Sequence, residues 1–254
     1  MLSIAPVVLF ALGAIIASFV GVFVARLHTG QSFLAGRSRC DACNTQLGLS
    51  VLIPVISYII GGGKARCCGA SVSLLAPLTE LLLGGLFALS YIQLGLTTAL
   101  FWMLLSLSLL LALVLYDLAH QILPSILLAF FVTASAITGF LLAPSFALFS
   151  TTLLTAFLIA LSLALIHFVS GGRAMGLADA PFAFGLALLV GSAALPGFVF
   201  SFWIGAVIGI LILLKRPRGS RMGVEVPFAP FLAAGFILAY FTQWNPFIFA
   251  VVLH

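Results

Sequence analysis

The chain has 254 residues, of which 64% are hydrophobic and only 6% charged. Soluble domains carry about 25% charged residues, so this composition cannot cover a water-exposed surface, and lipid is the principal solvent. The net charge of +5 comes from ten Lys/Arg against five Asp/Glu; in so apolar a chain the basic residues mark the cytoplasmic side of a membrane, not a nucleic-acid surface.

A spanning helix needs roughly 20 apolar residues. By that measure spans fall near 4–25, 73–94, 98–116, 122–143, 148–169, 182–195, 197–214 and 228–251. The first lacks a basic stretch ahead of its apolar run, which a cleaved secretory signal normally has, and is read as a retained span. The sixth is short and Pro196 follows it directly. The expected fold is an all-α polytopic membrane protein of seven or eight transmembrane helices. It divides into a first helix (1–25), a small cytoplasmic cysteine-loop subdomain (26–72) and a membrane core (73–254). The apolar run 47–60 is too short to span and is broken by Pro54; it is assigned to the loop subdomain, resting on the membrane.

Charge tests this layout. With the N-terminus outside, the cytoplasmic segments are 26–72, 117–121, 170–181 and 215–227, and all ten Lys/Arg fall in them. Such sorting is the positive-inside signature.

The five acids are Asp41, Glu80, Asp117, Asp179 and Glu225. An ionisable group at membrane depth is costly and points to function. Asp117 ends the third span in LVLYDLAHQILP and Asp179 begins the sixth in AMGLADAPF, both at the cytoplasmic rim. Two carboxylates in a low-dielectric site cannot both ionise cheaply, so they share a proton. That suits peptide hydrolysis: the ionised member takes a proton from an attacking water and the protonated member polarises the carbonyl. The plain alternative is that Asp179 only caps its helix. Gly176 suggests close backbone approach to Asp179, Gly171 and Gly172 give a mobile entry to that loop, and Pro124 and Pro181 fix helix starts. Glu80, about two turns into the second span, is either a supporting polar group of the site or a structural one. His120 lies within a helical turn of Asp117 and reads as an interfacial histidine; His28 and His167 carry no clear signal.

All four cysteines lie between residues 40 and 68. Cys40 and Cys43 form a CxxC, followed by the adjacent pair Cys67 and Cys68. Thiols grouped in this way suggest a structural zinc site. Adjacent cysteines demand an awkward backbone, so a three-cysteine site completed by His28, Asp41 or water is the variant. A disulfide is the other option, disfavoured in a reducing cytosol.

Taken in order, ASFVGVFVARL, GRSRCDACNTQL, LIPVISYI, CCGASVS, APLTELL, Asp117 to Pro124, Gly176-Leu177-Ala178-Asp179 and VPFAPFLAAG resemble the prepilin leader peptidases, membrane aspartic peptidases of type IV pilus and type II secretion systems. The resemblance implies that Asp117 and Asp179 are the catalytic pair. The implied reaction removes the basic leader of type IV prepilins or pseudopilins, after a glycine, at the cytoplasmic face of the bacterial inner membrane. Pilus or secretion assembly proteins are the implied partners. It also implies zinc in the cysteine loop and, in many members, N-methylation of the new terminus with S-adenosylmethionine; no Gly-rich dinucleotide-type loop marks a site for the latter. Three departures stand out. Ala178 replaces the second glycine of the Gly-x-Gly-Asp motif, which is tolerable at negative φ and costly at positive φ. Pro181 stands where the family has a lysine, and Ala65 where it has its third cysteine. These departures motivate one alternative, a non-catalytic assembly factor; an ion- or proton-coupled transporter is the other.

Overall fold

The computed structural model describes residues 4–27, 42, 43, 45, 46, 56–173, 175–215 and 227–246. Nine α-helices form among them: α1 (Ala5–Arg26), α2 (Ile56–Ile60), α3 (Leu75–Leu94), α4 (Thr98–His120), α5 (Ser125–Leu142), α6 (Phe146–Ser170), α7 (Asp179–Val190), α8 (Ala194–Lys215) and α9 (Ala229–Thr242). An isolated β-bridge joins Lys64 and Ser71. The all-helical fold follows from the solvent: in lipid every backbone N–H and C=O must be satisfied within its own segment. Among the described residues six stretches are long and apolar enough to cross a membrane, the last running from Asp179 to Leu214 through α7 and α8. With the shorter α9, these give the polytopic helical protein expected from composition.

The helix ends have local causes. Gln121, at φ +55°, stops α4, and Pro124 is the extended N-cap of α5. Ser145 caps α6 by accepting from the Leu148 N–H at 3.3 Å. Gly171, at φ +60°, closes the other end of α6 in the left-handed conformation that glycine adopts without strain. Three boundaries differ from expectation. The fourth helix continues to His120, which places Asp117 one turn inside it. The break after α7 falls at Gly191, whose φ of +62° interrupts the helix; Pro196 sits in the first turn of α8, where its missing N–H costs no helical bond. And α9 ends at Thr242, with residues 247–254 outside the described part.

The chain forms two compact units, Met1–Thr97 and Thr98–His254. In the first, α1 packs on α3. The approach depends on small residues: a Cβ built on Gly13 would lie 2.8 Å from Gly84 Cα. In the second, α7 packs against α5, α6 and α9, and α8 packs against α9. Nearly every residue of α7 is buried. Small residues again permit the contact, since lipid tails are as apolar as the helix faces and association rests on close packing.

At Gly139 of α5 an added Cβ would collide with the Leu188 carbonyl of α7. Gly139→Ala is therefore expected to destabilise the protein by about 1–3 kcal/mol. Gly209→Ala, with nothing within 4 Å of its Cβ, is expected to cause no loss and to gain up to about 1 kcal/mol from helix propensity. Thermal unfolding of both variants in one detergent makes the comparison.

Candidate active site

Asp117 and Asp179, only 6% and 7% exposed, come from different helices of the second unit and line one cavity of about 790 Å3. Asp117 projects from the last turn of α4, where its carbonyl accepts from the Gln121 N–H at 2.7 Å. The backbone N–H of Ala229, the first residue of α9, faces its carboxylate. The first amides of a helix have no partner within it and carry partial positive charge, so they suit an anion. Asp117 Oδ2 is buried and has no hydrogen-bond partner among the described residues. An unsatisfied buried acceptor costs about 1–3 kcal/mol or more; such an atom is the natural place for a proton or a water.

Asp179 is the first residue of α7. Its Oδ2 accepts from the Gly176 N–H at 3.1 Å, while its own N–H donates to the Gly176 carbonyl at 3.3 Å. The side chain does not cap α7, which has no side-chain cap; it holds instead the amide of Gly176, ahead of the helix, while lining the cavity. The two carboxylates lie within electrostatic reach of each other, and the His167 imidazole is within reach of Asp179.

The supporting positions divide. Gly176 approaches the site as expected: a Cβ there would stand 3.5 Å from Asp179 Oδ2. Ala178 has φ −68°, so the methyl that replaces the family's glycine causes no backbone strain. Pro181, in the first turn of α7, is exposed and forfeits only an N–H that has no helical partner. Pro124 does set the start of α5. Glu80 is buried on α3, in the first unit. His120 is exposed and its ring lies against Tyr116, with centroids 4.5 Å apart.

The cysteine loop gathers three thiols. Cys43 Sγ lies 3.2 Å from Cys67 Sγ, and Cys67 Sγ 3.9 Å from Cys68 Sγ, with all three sulfurs within 4.8 Å. The adjacent pair sits on a tight reversal: Ala65 N–H donates to the Ala70 carbonyl at 2.8 Å, and Gly69 N–H to the Ala65 carbonyl at 2.7 Å. Cys67 thus reaches Cys43 although Ala65 occupies the usual third position. A tetrahedral ion with metal–sulfur bonds of about 2.3 Å sets its sulfurs about 3.8 Å apart, close to these spacings. Cys40, Asp41 and His28 lie outside the described residues.

Two features of the site escaped the sequence reading. His167 contacts the Asp179 loop through a backbone atom, which leaves no pattern in side-chain spacing. The start of α9 reaches Asp117 across a long sequence separation; its only sequence signal was the VPFAPF stretch.

The class is a polytopic α-helical membrane protein with a buried pair of aspartates on one cavity. Residues 11–94 match the family model of the bacterial peptidase A24 N-terminal domain. The chain is 32% identical over 237 residues to a prepilin leader peptidase/N-methyltransferase of Bacillus subtilis, covering 92% of each. It is 30% identical over 275 residues to that of Dickeya chrysanthemi, covering 93% of this chain and 94% of the relative. To that of Pseudomonas aeruginosa it is 33% identical over 215 residues, covering 79% and 70%. No solved structure matches the chain. The chain belongs to the prepilin leader peptidase/N-methyltransferase family.

Because Ala178 has an ordinary helical φ, restoring glycine there is not expected to relieve strain. Ala178→Gly should change stability by less than about 1 kcal/mol, read by thermal unfolding in detergent; a large gain would contradict the φ observed.

Proposed function

We propose that this protein is a membrane aspartic endopeptidase that removes the short, basic leader from type IV prepilins or pseudopilins. The observation that carries the reading is the pair of buried carboxylates, Asp117 and Asp179, on one cavity at one end of a helical unit. One carboxyl holds a proton and the other is ionised. The ionised carboxylate takes a proton from water as the water oxygen bonds to the scissile carbonyl carbon, and the protonated one donates to the carbonyl oxygen. Collapse of the tetrahedral adduct breaks the C–N bond, and a carboxyl proton goes to the departing amine. The Gly176 amide holds the Asp179 carboxylate in place, and the Ala229 amide faces that of Asp117. Gly176 and Pro124 are supporting positions of this site. Neither the transporter nor the assembly-factor reading is favoured by any observation here.

The charge pattern supports an active site at the cytoplasmic face of the bacterial inner membrane, with pilus or type II secretion assembly proteins as partners. The loop 26–72 is proposed as a separate structural module beside the first helix and the core. Cys43, Cys67 and Cys68 would hold zinc there, with Cys40 as the fourth thiolate; the ion would brace the loop, as structural zinc does. Methylation of the new terminus with S-adenosylmethionine is proposed from the names of the relatives alone, since the described geometry assigns no residues to it.

Asp117→Asn and Asp179→Asn are each expected to lower leader cleavage at least about 100-fold, the usual worth of a positioned acid or base, while the protein still inserts. An in vitro assay with prepilins encoded near the gene measures this, and normal processing by either variant removes the two-aspartate mechanism. Metal analysis of the purified protein is expected to find bound zinc that is lost with Cys43→Ser plus Cys67→Ser. Zinc-free unaltered protein would remove the ion from the account.

A further inference from the structure

His167 stands one turn before the end of α6. Its Nδ1 lies 2.9 Å from the Met175 carbonyl oxygen. A carbonyl only accepts, so Nδ1 carries the hydrogen and donates it. The backbone carbonyl of His167 accepts from the Gly172 N–H at 2.9 Å. Its ring rests on the same glycine: a Cβ on Gly172 would be 3.3 Å from the ring's Cε1, at a φ of +77° that already disfavours any other residue. One histidine therefore grips the turn after α6 at Gly172 and again at Met175.

The second grip reaches Asp179. The Met175 carbonyl and the Gly176 N–H belong to one planar peptide group and, in the trans form, point in opposite directions. That N–H donates to Asp179 Oδ2 at 3.1 Å. The imidazole N–H and the Asp179 carboxylate thus hold opposite edges of a single peptide. Hydrogen bonds in series polarise one another, so the imidazole both orients the peptide and strengthens its hold on the carboxylate.

We propose that His167 is a positioning residue for Asp179, acting through the Met175–Gly176 peptide from the end of α6. The inference rests on the reading of Asp179 as a member of the peptidase pair. It requires a side-chain N–H at the position of Nδ1.

His167→Leu keeps an apolar side chain of comparable bulk and removes the donor, whereas His167→Asn retains a donor near the Nδ1 position. In prepilin cleavage, His167→Leu is expected to lower kcat about tenfold, the rate equivalent of one hydrogen bond, with KM unchanged. His167→Asn is expected to recover most of that loss. A second readout does not depend on activity. Arg173 lies in the gripped loop, and trypsin should cut after it about tenfold faster in His167→Leu by the same free energy, and near the unaltered rate in His167→Asn. Unaltered kcat and unaltered trypsin cleavage in His167→Leu would overturn the proposal, as would an Asn variant no better than the Leu variant in both measurements. If Asp179→Asn itself processed prepilin normally, the peptidase reading would fail instead, and trypsin cleavage would still decide whether His167 orders the loop.

Discussion

Two buried carboxylates on one cavity, in a protein dissolved in lipid, set the terms for the whole second unit. Each costs several kcal/mol to bury without partners, and together they repel. The structure offsets this with backbone amides. The first N–H of α9 faces Asp117, and the N–H of Gly176 donates to Asp179. No Lys or Arg reaches the pair through an ion pair among the described residues. Amide donors stabilise negative charge without neutralising it, so one carboxyl can hold a proton while the other stays ionised, as a shared-proton site demands.

Helix ends do double service in this arrangement. Both amides that serve the pair lie beside a break in a helix, one in the turn between α6 and α7 and one at the start of α9, and Asp117 itself stands in the last turn of α4. A long apolar helix has no unsatisfied amides along its length, so a site needing backbone donors at membrane depth must be built where helices stop. The close packing of α7 on α5 at Gly139 then matters beyond stability, because α7 carries Asp179 on its first residue and transmits any shift to it.

The departures from the family pattern have physical readings. Ala178 is compatible because its φ is −68°. Pro181 falls in a first turn, where an N–H is dispensable. Cys67 reaches the thiol cluster because the reversal at 65–70 turns two neighbouring sulfurs toward Cys43. Two of these outcomes were conditional in the sequence: whether an alanine strains the backbone depends on φ, and whether adjacent thiols converge depends on a turn. Glu80 was legible as a costly buried acid and is indeed buried, on α3 of the first unit.

Much of this protein was already determined by its sequence. Composition dictated lipid as the solvent and apolar runs located the helices, because each of these follows from local transfer energies. Boundaries near Asp117 and Gly191 shifted by about a turn, since a helix in lipid runs until its backbone is satisfied elsewhere and not until its side chains turn polar. What only the tertiary structure decided is how the pair is held. The Ala229 amide meets Asp117 across more than a hundred residues, and His167 reaches Asp179 through a peptide group that any residues at 175 and 176 other than proline would supply. Backbone donors have no letter in a sequence, so their convergence appears only when the helices are packed.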